Sequence, residues 1–242
     1  MSVKSRIGAL VIPRLPVNRR TFDILRFESN CLWHALKNAL NPFYHARVAH
    51  INAGPGWGLN VGSGGRGRAD GRWVNVDARK HRDVGFALDI RRRLPFRTDL
   101  FRRVFAEHVI EHIDFRQDAP KAFAEFYRVL APGGVLRVIV PDAERFLEAY
   151  VSRDPAKWRA LGWDTRALPK DIYTPMHLVN HVFQQSGEHL FGYDFETLKF
   201  ALERAGFRQV RRQAYRVSGD PELALDQPAY EKNSLFVEAR KC

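Results

Sequence analysis

Cysteine is nearly absent from this 242-residue chain, which has only Cys31 and Cys242, near opposite ends and in no CxxC spacing. That excludes a disulfide framework and a thiolate zinc site, and it leads us to expect a reducing, cytoplasmic setting. Long apolar runs are missing too. None approaches the roughly 20 residues that cross a bilayer, and the first residues lack a stretch long enough for a secretory signal, so a protein at most peripheral to a membrane is expected. Acidic residues are scarce in the first 103 positions, which hold 7 of the 27 Asp and Glu but 20 of the 39 Lys and Arg, so the formal excess of +12 is all N-terminal. Such a half can face nucleic acid, an anionic membrane surface or an acidic substrate, or simply be a solvated basic surface.

What is present points to an α/β protein. A 45% hydrophobic content at this length suits one domain with embellishments. Residues 1–54 follow no βα pattern and read as a helical extension. Phe22, Leu25, Phe27, Leu32, Trp33, Leu36 and Leu40 recur at mostly helical spacing, and Asn41-Pro42 marks a stop. Packing on the domain is the expected use of this face, although flanking Arg14, Arg19, Arg20 and Arg26 are also compatible with peripheral membrane contact.

Residues 55–242 form the expected domain, with strand candidates at Leu59–Val61, Trp73–Val76, Gly85–Leu88, Val104–Ala106 and Val135–Val140. A helix from Asp118 and Pro120 to Pro132-Gly133-Gly134 joins the last two. Residues 143–193, rich in Trp and His, interrupt this rhythm and read as a helical insertion, a lid over the substrate site. A helix capped by Asp194 and ended by Gly206 follows, then two β-prone runs, Gln209–Val217 and Ser234–Ala239, that pair as an antiparallel edge. The expected fold is a doubly wound, Rossmann-like, mostly parallel sheet.

Gly62-Ser63-Gly64-Gly65-Arg66-Gly67 follows the first strand and matches G-x-G-x-x-G, while Asp77 ends the second strand, where a carboxylate can accept from ribose hydroxyls. Only five residues separate Gly67 from Trp73, too few for the crossover helix whose N-terminus anchors a dinucleotide pyrophosphate. The spacing therefore favours a phosphate-free nucleoside ligand over NAD. Asn60, Asp77, Asp89 and Glu107, at or near successive strand ends, would converge on it.

These segments, with Glu107-His108-Val109-Ile110-Glu111-His112 and Arg128-Val129-Leu130-Ala131-Pro132-Gly133-Gly134, resemble the ordered motifs of class I S-adenosylmethionine-dependent methyltransferases. They resemble in particular a compact bacterial subgroup with a short Gly-rich loop. The resemblance implies that Gly62, Ser63 and Gly64 wrap the methionine part of S-adenosyl-L-methionine, that Asp77 holds the ribose, that Asp89 and Ile90 flank the adenine, and that Glu107 and His108 sit beside the methionine end. Asn60 stands where the family often has an acid, and Ser63 where the subgroup commonly has a Cys. His108 to His112 also fits the H-x-x-E-H pattern of inverted zinc peptidases. The first His follows directly on a strand, however, so His108 reads as cofactor-facing, His112 as a helix residue at the cleft, and no metal is assigned.

Methyl transfer is an in-line displacement that needs mainly alignment. For a hydroxyl acceptor, His108, His112, His177 and His181 are the candidate bases. The residues leave glycan or lipid precursors, small metabolites and macromolecules open as acceptors, and the subgroup resemblance leans toward cell-envelope saccharide pathways. Nucleic acid is not favoured, because stacking aromatics do not alternate with the basic residues. An NAD-dependent oxidoreductase or a non-catalytic Rossmann-like protein are the remaining alternatives.

Overall fold

The computed structural model describes residues 18–54, 58–68 and 70–242; Arg14, expected beside the N-terminal helices, lies outside them. Two units separate at Met1–Ala46 and Arg47–Cys242, so the division falls inside the second helix rather than at residue 54. The first helix, α1 (Arg19–Ala39), starts at Asn18, whose side chain accepts from the Thr21 N–H. Asn41-Pro42 interrupts it as expected, because proline cannot donate to a continuing helix. The Asn41 amide oxygen then accepts from the Phe43 N–H at 3.0 Å, opening α2 (Pro42–Ala53).

A seven-stranded sheet carries the second unit. Its strands are β1 (Gly58–Val61), β2 (Trp73–Asp77), β3 (Phe86–Ala87), β4 (Phe101–Glu107), β5 (Leu130–Pro141), β6 (Arg208–Gln213) and β7 (Ser234–Arg240), in the order β3-β2-β1-β4-β5-β7-β6. The first five run parallel; β7 lies antiparallel to both β5 and β6. This is the doubly wound, Rossmann-like, mostly parallel sheet with an antiparallel C-terminal edge that the sequence implies. β3 spans two residues instead of four, and β6 ends at Gln213 instead of Val217.

The parallel strands are buried on both faces and so read as apolar runs. Leu59, Val61, Val76, Val104, Ala106, Leu136, Val138 and Ile139 are all almost fully inaccessible. Helix α3 (Ala119–Val129) returns the chain from β4 to β5 and buries Ala122, Phe123, Phe126 and Val129. After β5, helices α4 (Ala143–Ser152), α5 (Pro155–Ala160) and α6 (Pro175–Gln184) make up the expected insertion. They have a hydrophobic cluster of their own, built on Phe146, Trp158, Leu161, Ile172 and Leu178. Helix α7 (Phe195–Arg204) follows, capped by Asp194, which accepts from the Thr197 N–H at 2.8 Å; Gly206 ends it at a φ of 104°. Among the described residues, no helix is long and apolar enough to cross a membrane.

β5 contains a residue that its apolar pattern hides. Arg137 is fully buried, with Nε donating to Asp226 at 2.8 Å and Nη1 to Glu238 at 2.9 Å, while backbone carbonyls of Ala214 and Val217 take further N–H groups. A guanidinium can be buried only when its donors are satisfied in this way. The network ties the connection between β6 and β7 to the middle of the sheet.

Candidate active site

The turn after β1 is built without a helix: no helix lies between β1 and β2 among the described residues. Its stability must therefore come from side chains, and Asn75 supplies it. Its amide oxygen accepts from the Arg68 N–H at 2.9 Å and from Asn60 Nδ2 at 3.0 Å, while its Nδ2 donates to the Arg68 carbonyl at 2.9 Å. Asp77 does the same one turn earlier, accepting from the Gly64 N–H at 2.8 Å and the Arg79 N–H at 2.7 Å. Each Asp77 oxygen retains capacity for another donor. Gly62 is required on two counts. Its φ is 66°, and a Cβ there would lie 2.1 Å from Val109 Cγ2, so the segment after β4 seats directly on the glycine turn.

A cavity of about 410 Å³ opens beside this turn. Asn60, Gly62, Ser63 and Glu107 line it, as the sequence implies, and so do Arg66, Arg68, Phe105, Leu225 and Gln227, which sequence reasoning missed. Arg66 and Arg68 give the wall positive groups and Asp70 and Glu107 negative ones, so it can complement both charges of an amino-acid zwitterion. The Ser63 Oγ and the Arg68 Nε are buried with no protein partner, so both are available to a ligand. Asn60 spends Nδ2 on Asn75 and keeps its amide oxygen. These features fit the methionine end of S-adenosylmethionine. Part of the wall is a latch from the C-terminal region, since the Gln227 N–H and side-chain amide both donate to Glu107 and Arg66 donates to Gln227 at 2.6 Å.

The other predicted cofactor residues lie outside this cavity. Leu88 N–H donates to the Asp77 carbonyl at 2.9 Å, so Asp89 follows at the same edge of the sheet as Asp77. Burial opposes its charge, but hydrogen bonds from Arg91 and the charges of Arg91 and Arg92 outweigh that, holding its carboxyl below the usual range. Ile90 packs in the core, 7% exposed.

His108 leaves β4 with a φ of 52°, a left-handed conformation that costs a non-glycine residue energy and tends to persist at functional sites. Its Nδ1 lies 3.0 Å from the Glu111 carboxylate, its Nε2 is 2.9 Å from Ser234 Oγ, and its ring stacks on Tyr230 at 3.7 Å. His112 sits in a single 3₁₀ turn, Ile110–His112, rather than in the helix expected from sequence, because the chain turns again at Ile113 to enter an extended conformation. None of the four candidate bases lines the cavity. His177 is exposed beside the Thr174 cap of α6, and His181 meets the Trp163 ring edge-on within the insertion.

Residues 71–138 match a family model described as a methyltransferase domain. That segment, from just before β2 to within β5, is therefore similar to a methyltransferase domain. No curated protein matches the chain in sequence. Among solved structures it is similar to a possible exported protein from Bordetella parapertussis, at 15% identity and a TM-score of 0.47, covering 81% of this chain and 67% of that one. It is also similar to an S-adenosylmethionine-dependent methyltransferase from Mesorhizobium loti, at 18% identity and a TM-score of 0.46, with coverages of 84% and 99%. A third is the N-methyltransferase NodS from Bradyrhizobium japonicum, bound to S-adenosyl-L-homocysteine, at 16% identity and a TM-score of 0.41, with coverages of 84% and 89%.

Proposed function

We propose that the protein is an S-adenosylmethionine-dependent methyltransferase that methylates a hydroxyl oxygen of a small-molecule or saccharide acceptor presented to His108. The cofactor supplies an electrophilic methyl group on a positive sulfur. Arg68 and Glu107 bind its zwitterionic end, Asp77 its ribose, and Asp89 and Ile90 flank its adenine. The observation that carries the reading is the His108–Glu111 pair at the end of β4. The Glu111 carboxylate lies 3.0 Å from Nδ1, which leaves Nε2 as the nitrogen that takes the acceptor proton. The helical insertion, residues 143–193, walls the acceptor side, a role supported by the Leu190 N–H donating to the Glu111 carbonyl at 2.7 Å.

Thermal unfolding with and without cofactor tests this reading. S-adenosylmethionine should raise the melting temperature, Asp77→Ala should remove the shift, and His108→Ala should keep it while abolishing transfer of labelled methyl to a panel of hydroxylated acceptors. An unchanged melting curve at saturating cofactor overturns the reading.

A further inference from the structure

The sequence stretch His108 to Ile113 is used only in part by the chemistry above. Glu111 is 1% exposed, yet neither carboxylate oxygen has a hydrogen-bond partner; the His108 Nδ1 lies 3.0 Å from Oε1. A buried carboxylate so poorly satisfied costs several kcal/mol unless a cation meets it. Two further imidazoles surround it. Among the described residues, Glu111, His112 and His189 are the one group whose potential ligand atoms all lie within 4.8 Å of one another.

The two histidines are already oriented as ligands. The His112 Nδ1 is 3.0 Å from the Glu188 carbonyl and the His189 Nδ1 is 2.6 Å from the Val182 carbonyl. A carbonyl only accepts, so each Nδ1 carries the proton and each Nε2 is left with a free lone pair. That is the outer-shell arrangement that fixes metal-binding imidazoles. Backbone contacts fix the position of His189, since the Leu190 and Phe191 N–H groups both meet the Glu111 carbonyl.

We propose that Glu111, His112 and His189 bind a divalent transition-metal ion next to the cofactor turn. Two imidazoles and a carboxylate suit Zn²⁺, Co²⁺, Fe²⁺ or Mn²⁺ and leave coordination positions open. Ligand atoms that lie within 4.8 Å of one another can converge on an ion about 2.1 Å from each by side-chain rotation. Val109, between His108 and the ligands in sequence, packs on Gly62, so the segment that carries Glu111 and His112 adjoins the glycine turn. The acceptor class follows from the function proposed above: an oxygen-donor acceptor, such as a vicinal diol, binds the ion through its hydroxyls. The metal lowers the hydroxyl pKa, the proton goes to His108, the oxygen forms the new bond to the methyl carbon, and the departing sulfur keeps the electron pair as S-adenosylhomocysteine.

The test uses the full chain, freed of metal by chelation and titrated with Co²⁺, whose visible absorption reports nitrogen and oxygen coordination. One equivalent should bind, and Glu111→Gln, His112→Ala and His189→Ala should each weaken binding at least about tenfold. His177→Ala, which alters an exposed histidine outside the group, should not. A thermal shift with S-adenosylmethionine in every variant checks folding and reports separately on the function proposed above. Absence of Co²⁺ binding, or equal binding by the wild type and the three ligand variants, overturns the site.

Discussion

The burial of Arg137 decides more than its own position. It holds Asp226, and Gln227 next to Asp226 latches onto Glu107 at the cavity wall, so one guanidinium links the sheet interior to the cofactor site. Removing it leaves the Asp226 carboxylate with no exposure and no countercharge, although the Arg216 N–H still donates to it. Stranding a buried charge in this way costs about 3–5 kcal/mol. Arg137→Met should therefore lower the melting temperature by roughly 10 °C in calorimetry, given the usual 2–4 °C per kcal/mol at this size. Adding Asp226→Asn should recover part of that loss, because the partner is then neutral. A melting temperature within 2–3 °C of wild type for Arg137→Met would remove the argument.

At the scale of elements, the short link between β1 and β2 shows both what was legible in the sequence and what was not. Five residues between Gly67 and Trp73 are too few for a crossover helix, and among the described residues none lies between β1 and β2. What replaces the helix was hidden. Asn75 reads as one polar letter in a β-prone run, and its role depends on Arg68 and Asn60 meeting it across the fold. The same reason conceals Arg137 inside β5 and His189, which the chain brings to Glu111 from 78 positions away. Periodicity and caps are local signals, and they located α3, α7 and the strands, though not every strand end; partnerships between distant residues leave no local trace. Because three hydrogen bonds converge on Asn75, Asn75→Ala should cost about 1–3 kcal/mol in urea denaturation and weaken S-adenosylmethionine binding about tenfold in calorimetric titration. A variant of normal affinity would mean that the turn holds its shape without this brace.

For the whole molecule, the distribution of functional groups matters more than the net charge. Every residue assigned here to the cofactor, the acceptor or the metal lies between Asn60 and Gln227, inside the unit Arg47–Cys242. The basic excess, by contrast, begins well before that unit, with Arg19, Arg20, Arg26 and Lys37 on α1. If the chemistry belongs to the second unit alone, a protein consisting of residues 47–242 should fold and show the same S-adenosylmethionine-induced thermal shift as the full chain, within about 1 °C. Arg47 must be kept, since it donates to the Gly85 carbonyl at 3.1 Å and lies over the Phe86 ring, bracing the short edge strand β3. A shortened chain that folds, with a normal circular dichroism spectrum, but shows no shift would make α1 part of cofactor binding. Retention of the shift with loss of methyl transfer would assign α1 to the acceptor, which is where its positive charge would then act.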